Sequence, residues 1–357
     1  MLEALIHDLA AGKPLPEEGI RLAVGQLVDE TIPAAAKADF LSALARKGET
    51  VGEIAAFARA LREKSVQPPL DPETRAREIL DVVGTGGDRM NTFNISTTVA
   101  ILCAAAGVTV AKHGNRAVTS QVGSADVIEA LGIRIDLAPA EAARSLREHG
   151  FAFFFAPHYH PAFKHIAPAR KLCAERGQRT IFNFLGPLLN PARPSAQLIG
   201  VPRPDLCEPL ARVLQSLGVR RAMVVCGKVA GCRLQVAGSS GAEGCLDELS
   251  TLGPTTIAEF YRERGFATSE LAADAFPLQP ATLTDLAGGD RQTNANIVRR
   301  LLRGEERGPK RDAVLLNAAA ALLVAGRART LSGGWELAAG LIDGGQAMKK
   351  LMDLADL

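Results

Sequence analysis

Ile79-Leu80-Asp81-Val82-Val83-Gly84-Thr85-Gly86-Gly87-Asp88 reads as a short apolar strand that runs into a glycine turn and ends on a carboxylate. Glycines at a strand end let backbone N–H groups approach an anion closely, because no Cβ holds the ligand away. Asn94-Ile95-Ser96-Thr97 then opens a helix over 95–106, whose free N–H groups favour phosphate. Gly107 stops that helix, and Val108-Thr109-Val110-Ala111 is the next strand. The rhythm repeats: a helix over 125–131, Gly132 and a strand over 133–135, then a helix over 139–149, Gly150 and a strand over 151–155. Glycine suits each helix end because it accepts the left-handed conformation. The alternation predicts an α/β domain with a mostly parallel central sheet flanked by helices, with ligands bound beyond the carboxyl ends of its strands.

The first 70 residues lack that alternation. Ile20, Ala23, Val24, Leu27 and Val28 recur at helical spacing, Pro16-Glu17-Glu18 is a typical first turn, and Thr50-Val51-Gly52-Glu53 has the spacing of a capping box. A small all-helical N-terminal domain over 1–70 therefore precedes a large α/β domain over 75–357, with proline-rich 66–73 as the linker. Short helices are marginal alone, so this unit is expected to pack on the large domain or on a second subunit.

The chain has 357 residues, 47% hydrophobic and 22% charged, with a net charge of +2. Without a basic run, and with only 4% aromatics to stack on bases, nucleic acid is not an expected partner. The longest apolar runs are too short to span a bilayer, and Met1-Leu2-Glu3-Ala4 carries an acid where a signal peptide needs cations. A cytoplasmic protein without membrane contact is the expectation. The six cysteines form no Cys-x-x-Cys pair, which favours reduced thiols over a metal cluster.

Lys112-His113-Gly114-Asn115-Arg116 follows the strand Val108–Ala111. Such a cluster beside buried backbone is hard to explain as packing, since buried charge must be paired. Lys112 supplies a point charge for phosphate, and Asn115 offers a donor and an acceptor. Asp88 either caps its turn, binds sugar hydroxyls or faces a cation. Asp247-Glu248 is either a solvated acidic turn or a carboxylate pair for Mg²⁺. Arg170 is either a surface arginine or a clamp for a carboxylate.

In chain order these residues resemble the anthranilate phosphoribosyltransferases, of the nucleoside-phosphorylase-like phosphoribosyltransferase class. Phe93 to Thr97, Gly123-Ser124-Ala125-Asp126, Phe155-Ala156-Pro157-His158, Asn183 to Pro187, Asn294-Ala295 and Arg311 to Asn317 extend the likeness over nearly the whole chain. The resemblance implies a site for phosphoribosyl pyrophosphate at Gly84, Gly87, Asp88, Thr92, Asn94, Ile95, Ser96, Thr97, Lys112, His113, Gly114, Asn115, Arg116, Ala117, Val118, Thr119, Ser120 and Ser124. It implies anthranilate contacts at Gly84, Asn115 and Arg170, with His113 and His160 lining the aromatic slot, and Mg²⁺ ligands at Ser96, Asp247 and Glu248. Lys112, Asp88 and His113 are the implied reacting-site groups, His113 as a candidate base. It also implies a homodimer joined through the helical domain, and transfer of the 5-phosphoribosyl group to the amine of anthranilate in tryptophan biosynthesis.

One departure stands out. The family usually runs from a strand ending in His-Gly almost directly to the Asp-Glu pair; here Met223-Val224-Val225 ends in Cys226-Gly227, and Lys228 to Cys245 intervenes, with an extra hairpin over 229–236 as one reading. Two alternatives share the fold. A pyrimidine-nucleoside phosphorylase would carry a Lys-His-Ser-Thr-Gly-Gly type motif where this chain has Lys112 to Arg116, and a non-catalytic nucleic-acid-binding relative would lack the metal ligands or show a basic face. Dinucleotide binding is disfavoured, because Gly84 to Asp88 does not match the Gly-x-Gly-x-x-Gly spacing.

Overall fold

The computed structural model describes residues 2–117, 121–234 and 242–357. Helices Leu2–Ala10, Glu17–Val28, Ala34–Lys47 and Val51–Glu63 form the N-terminal unit. The last starts at a complete capping box: Thr50 Oγ1 accepts from the Glu53 N–H (3.2 Å) and Glu53 Oε2 accepts from the Thr50 N–H (2.9 Å). The same carboxylate binds Lys47 Nζ at 2.6 Å with both groups buried, so one residue ties two helices together.

The remainder is built on one mixed sheet. Among the described residues its strands are β1 (Ile79–Gly84), β2 (Thr109–Gly114), β3 (Phe151–Phe155), β4 (Ala196–Gly200), β5 (Arg221–Leu234), β6 (Ala242–Leu246), β7 (Thr255–Tyr261) and β8 (Gly265–Leu271). The order is β3-β2-β1-β4-β5-β7-β8, with β6 also paired to β5. The neighbours from β3 to β5 are parallel, whereas β6, β7 and β8 join antiparallel. Helices cover both faces: Ile95–Ala105 and Pro309–Val324 share the cluster of one face, while the N-terminal helices and Cys207–Ser216 share the other. The expected helical unit beside a mostly parallel α/β unit is what the chain forms.

Three local expectations change. The stretch 133–135 is irregular, because β2 pairs directly with β3 and leaves no place for a strand between them. Its alternation has another cause: Ile133 and Ile135 are buried in the core while Arg134 and Asp136 face solvent. The polar cluster does not follow its strand. Lys112, His113 and Gly114 are the last residues of β2, paired with Phe153, Phe154 and Phe155. Finally, β5 does not end at Cys226-Gly227 but continues into a hairpin, whose two arms are the end of β5 and β6 rather than 229–236 alone, pairing Lys228 with Cys245 and Leu234 with Ala242 across a bulge.

The apolar cluster of the N-terminal helices also takes in Ile166, Ala169, Cys173, Ile181, Phe182, Leu185, Leu188 and Leu189. Residues 161–189 thus leave the sheet after β3, pack on the helical unit and return at β4. Nothing in the periodicity of that segment announced where it would dock.

Candidate active site

β1 and β2 are adjacent and parallel, so Gly84 and Gly114 end at one edge of the sheet. Gly86 and Gly87 have φ of 72° and 85°, values that favour glycine, and the turn also holds Arg89 at 61° and Asn91 at 53°. Asp88 Oδ1 accepts from the Met90 N–H at 3.2 Å. Thr92 forms an isolated bridge with Ala287, and the Phe93 N–H donates to the Leu286 carbonyl at 3.0 Å, which tethers the loop before its helix begins. At that helix start Ile95 is buried, and Asn94 Oδ1 and Thr97 Oγ1 are buried without a partner. Buried polar atoms left unpaired at a helix N-terminus mark a place where a ligand or ordered water completes the hydrogen bonding.

The carboxylate pair is brought to this turn from β6. Asp247 Oδ2 accepts from the Gly86 N–H at 2.7 Å, and Glu248 Oε1 accepts from the Ser96 N–H at 3.2 Å. A Cβ on Gly84 would overlap the Asp247 carboxylate, and one on Gly200 would overlap the Asp247 backbone carbonyl. Gly200 is a requirement that the sequence reading missed; its place at the end of an apolar strand, in Ile199-Gly200-Val201, is the signal that was there. Burial, then the Asp88 and Glu248 charges, push the Asp247 carboxyl well above its usual range. Burial likewise pushes Glu248 up to about 8, with Lys112 opposing and Asp88 adding to the shift.

Lys112 is buried, and its Nζ donates to the Val82 carbonyl at 2.7 Å and lies 3.5 Å from Ser96 Oγ. Burial lowers its pKa, while Asp81 and Glu248 hold it up. Successive strand residues point to opposite faces. His113 accordingly turns the other way, to His160 at 5.3 Å between ring centroids. From there an aromatic chain continues: His160 to Phe163 at 5.1 Å, Phe163 to Phe182 at 5.8 Å, and the Arg170 guanidinium over the Phe182 ring at 5.5 Å. Burial lowers the Arg170 pKa, and among the described residues no carboxylate pairs with it.

The segment after β2 is organised by Asp126. Its Oδ2 accepts from the N–H groups of Gly123 (2.9 Å) and Ala117 (3.2 Å), and its Oδ1 takes Arg116 at 2.8 Å. Arg116 also pairs with Glu129 at 3.1 Å, so its charge is spent within the protein rather than held free at the cradle. Asn115 Oδ1 accepts from the Arg116 N–H at 2.8 Å, and Ser124 Oγ lies 3.5 Å from the Asn115 carbonyl and against Gly114. Val118, Thr119 and Ser120 lie outside the described residues. The structure therefore brings Gly84, Gly87, Asp88, Ser96, Lys112, Asp247 and Glu248 to one place, and His113, His160 and Arg170 to another around the same strand end.

Burial, followed for His113 by the neighbouring His160, lowers the imidazole pKa values to about 3 at His113 and about 4 at His160. Both rings are neutral in the folded chain, whereas unfolded histidines titrate near about 6.5. The unfolded state binds protons first as pH falls, so the stability these rings contribute is complete above about pH 6.5 and is lost below it. By about pH 4.5 the loss reaches roughly 2 to 3 kcal/mol per imidazole. Urea unfolding at the two pH values should show a clearly smaller loss in His113→Asn/His160→Asn than in wild type. Equal losses would contradict the neutral pair.

Comparison with known proteins settles the family. A family profile described as glycosyl transferase family, helical bundle domain, matches residues 3–65, and one described as glycosyl transferase family, a/b domain, matches residues 76–348. An anthranilate phosphoribosyltransferase of Symbiobacterium thermophilum is 46% identical over 98% of this chain and 96% of its own length. The chain belongs to the anthranilate phosphoribosyltransferase family. The solved anthranilate phosphoribosyltransferase of Thermus thermophilus superposes with a TM-score of 0.84 at 38% identity, covering 98% of each chain. The anthranilate phosphoribosyltransferase of Saccharomyces cerevisiae, solved in complex with PRPP and Mg, superposes at 0.83 with 26% identity, covering 99% of this chain and 97% of its own.

Proposed function

We propose that the two faces of the β2 end hold two substrates. The Lys112 face, with the glycine turn and the start of helix Ile95–Ala105, takes the pyrophosphate and sugar of phosphoribosyl pyrophosphate. The His113 face, with His160, Phe163, Phe182 and Arg170, takes anthranilate. The chain is an enzyme that transfers the 5-phosphoribosyl group from the donor to the amine of anthranilate, releasing pyrophosphate. The observation that carries the assignment of faces is that adjacent residues of one strand supply a buried cation to one side and a neutral aromatic wall to the other.

An aryl amine is a weak nucleophile, so the sugar carbon gains cationic character as the pyrophosphate departs. Lys112 and the N–H groups of the cradle stabilise that leaving charge without reorganising. Arg170 pairs with the carboxylate of the acceptor, and the histidine and phenylalanine rings hold its plane in line with the reacting carbon. No side chain serves as a covalent nucleophile.

The donor set also suits Mg²⁺. Asp247 and Glu248 are adjacent carboxylates whose pKa values are raised first by burial, with the Asp88 charge adding to both shifts. Among the described residues no three His, Cys, Asp or Glu side chains converge into a cage, which fits a cation held largely by substrate oxygens. Bound with Ser96, Asp247 and Glu248, Mg²⁺ would neutralise pyrophosphate charge. The same reading extends to a homodimer joined through residues 1–70, where Leu22 is exposed on helix Glu17–Val28, and to a cytoplasmic location. No helix among the described residues is long and apolar enough to cross a membrane.

Stoichiometric pyrophosphate release with anthranilate and phosphoribosyl pyrophosphate tests the transfer, and ribose 1-phosphate formed from a pyrimidine nucleoside and phosphate would support the phosphorylase alternative instead. Arg170→Ala should raise the KM for anthranilate about 10- to 100-fold, the range expected for a lost charge-assisted bond. The KM for the donor should change by less than about 2-fold, since that face keeps its contacts. An unchanged anthranilate KM removes the assigned role.

A further inference from the structure

Asp81 sits in the middle of β1, fully buried, where a strand interior would ordinarily carry an apolar side chain. Its Oδ1 accepts from the His113 N–H at 3.3 Å, and its Oδ2 accepts from Asn190 Nδ2 at 2.9 Å. Asn190 is also fully buried; its Nδ2 donates to the Ala111 carbonyl at 2.7 Å, and its Oδ1 accepts from the Ala192 N–H at 2.9 Å. One carboxylate–amide pair therefore joins β1, the end of β2 and the segment that returns from the helical unit to β4.

The turn just before Asn190 is gripped residue by residue. The His113 ring meets the Gly186 backbone, Gln197 Nε2 donates to the Pro187 carbonyl at 3.0 Å, Arg62 Nε donates to the Leu188 carbonyl at 2.6 Å, and the His160 ring meets the Leu189 backbone. These grips come from β2, β4, the last N-terminal helix and the residue after the short helix Ala156–Tyr159. His113 Nε2 and both ring nitrogens of His160 lack a well-aligned partner, so the ring contacts alone do not fix the turn. Asp81 and Asn190 add fully buried bonds to those that Gln197 and Arg62 make, and they alone among these tie the turn to the His113 backbone.

We propose that Asp81 and Asn190 form a positioning pair for the acceptor, setting the separation between His113 on β2 and the 182–190 segment that carries Phe182 beneath Arg170. Neither side chain touches substrate. Alternation along β1 places Asp81 on the His113 side and leaves the Val82 carbonyl to Lys112, so the hydrogen bonds of the pair act on the acceptor face, and its only tie to the donor face is the charge of Asp81 felt by Lys112. A bond of this kind matters through geometry: misplacing reacting groups by about 1 Å costs about 100-fold in rate.

This inference rests on the acceptor assignment above, and the test separates the two. Asp81→Asn, Asn190→Asp and the exchanged pair Asp81→Asn/Asn190→Asp are assayed in the full-length protein with each substrate varied in turn, beside wild type and Arg170→Ala. Each single variant should raise the anthranilate KM at least about 10-fold, and by clearly more than it raises the donor KM, because one buried charge-assisted bond is worth that much. The exchanged pair restores one carboxylate–amide bond but gives up the donor to the Ala111 carbonyl, so it should recover a measurable part of that loss. Equal effects on both KM values, no recovery in a folded exchanged pair, or failure of both singles and the exchanged pair to fold would make the pair purely structural and overturn the proposal. An Arg170→Ala variant with an unchanged anthranilate KM would instead sink the acceptor assignment.

Discussion

Asp247→Asn combined with Glu248→Gln is expected to lower kcat by at least about 100-fold and to flatten the dependence of rate on Mg²⁺, as removal of preorganised transition-state electrostatics does. The two carboxylates reach the site through unlike contacts: Asp247 caps the glycine turn through the Gly86 N–H, whereas Glu248 meets the N-terminus of helix Ile95–Ala105 through the Ser96 N–H. The amide replacements keep an oxygen for each N–H, so the fold is retained while the charge is lost. Retained folding with lost metal response separates a ligand pair from an acidic turn. The check is a Mg²⁺ titration of initial rates with the thermal midpoint as control. A double variant with wild-type metal response would show that the pair only shapes the loop.

Gly200→Ala is expected to lower activity by about 100-fold through displacement alone. Gly200 ends β4, and an added Cβ there overlaps the Asp247 backbone carbonyl, which cannot rotate away as a side-chain tip could. The β6 end must therefore retreat, carrying Asp247 from Gly86 and Glu248 from Ser96. The Thr85 N–H also donates to the Gly200 carbonyl at 2.9 Å, so the glycine turn shifts with it. Circular dichroism should show an intact fold, and steady-state kinetics should show the loss in kcat and in the donor KM with little change in the anthranilate KM. Wild-type kinetics in this variant would mean that the approach of β6 to β4 is not needed.

The parts of the fold legible in the sequence were those governed by local rules. The helix over 139–149 ends at Gly150, which takes a left-handed φ of 67°, and the Thr50 capping box forms as its spacing implied. The stretch 133–135 misled because alternation records burial, and burial there comes from tertiary packing without strand pairing. Lys112 and His113 belong to their strand rather than following it, because pairing with Phe153 and Phe154 carries the strand through them and leaves their charge and polarity inside. The candidate site was legible wherever a motif is contiguous, as in Gly84 to Asp88 and Lys112 to Arg116. It was not legible where residues distant in sequence meet. Asp81 with Asn190, Gly200 with Asp247, and the grip of Arg62 and Gln197 on the 186–190 turn depend on the strand order, which no local pattern encodes. The partners of Arg116, Asp126 and Glu129, likewise come from the fold rather than from its motif.

The most direct measurement follows anthranilate fluorescence with purified protein, phosphoribosyl pyrophosphate and Mg²⁺, omitting each component in turn. Loss of fluorescence only in the complete mixture, with one pyrophosphate released per anthranilate consumed, is the predicted result. Unchanged fluorescence in the complete mixture, with protein shown to be folded, would contradict the account.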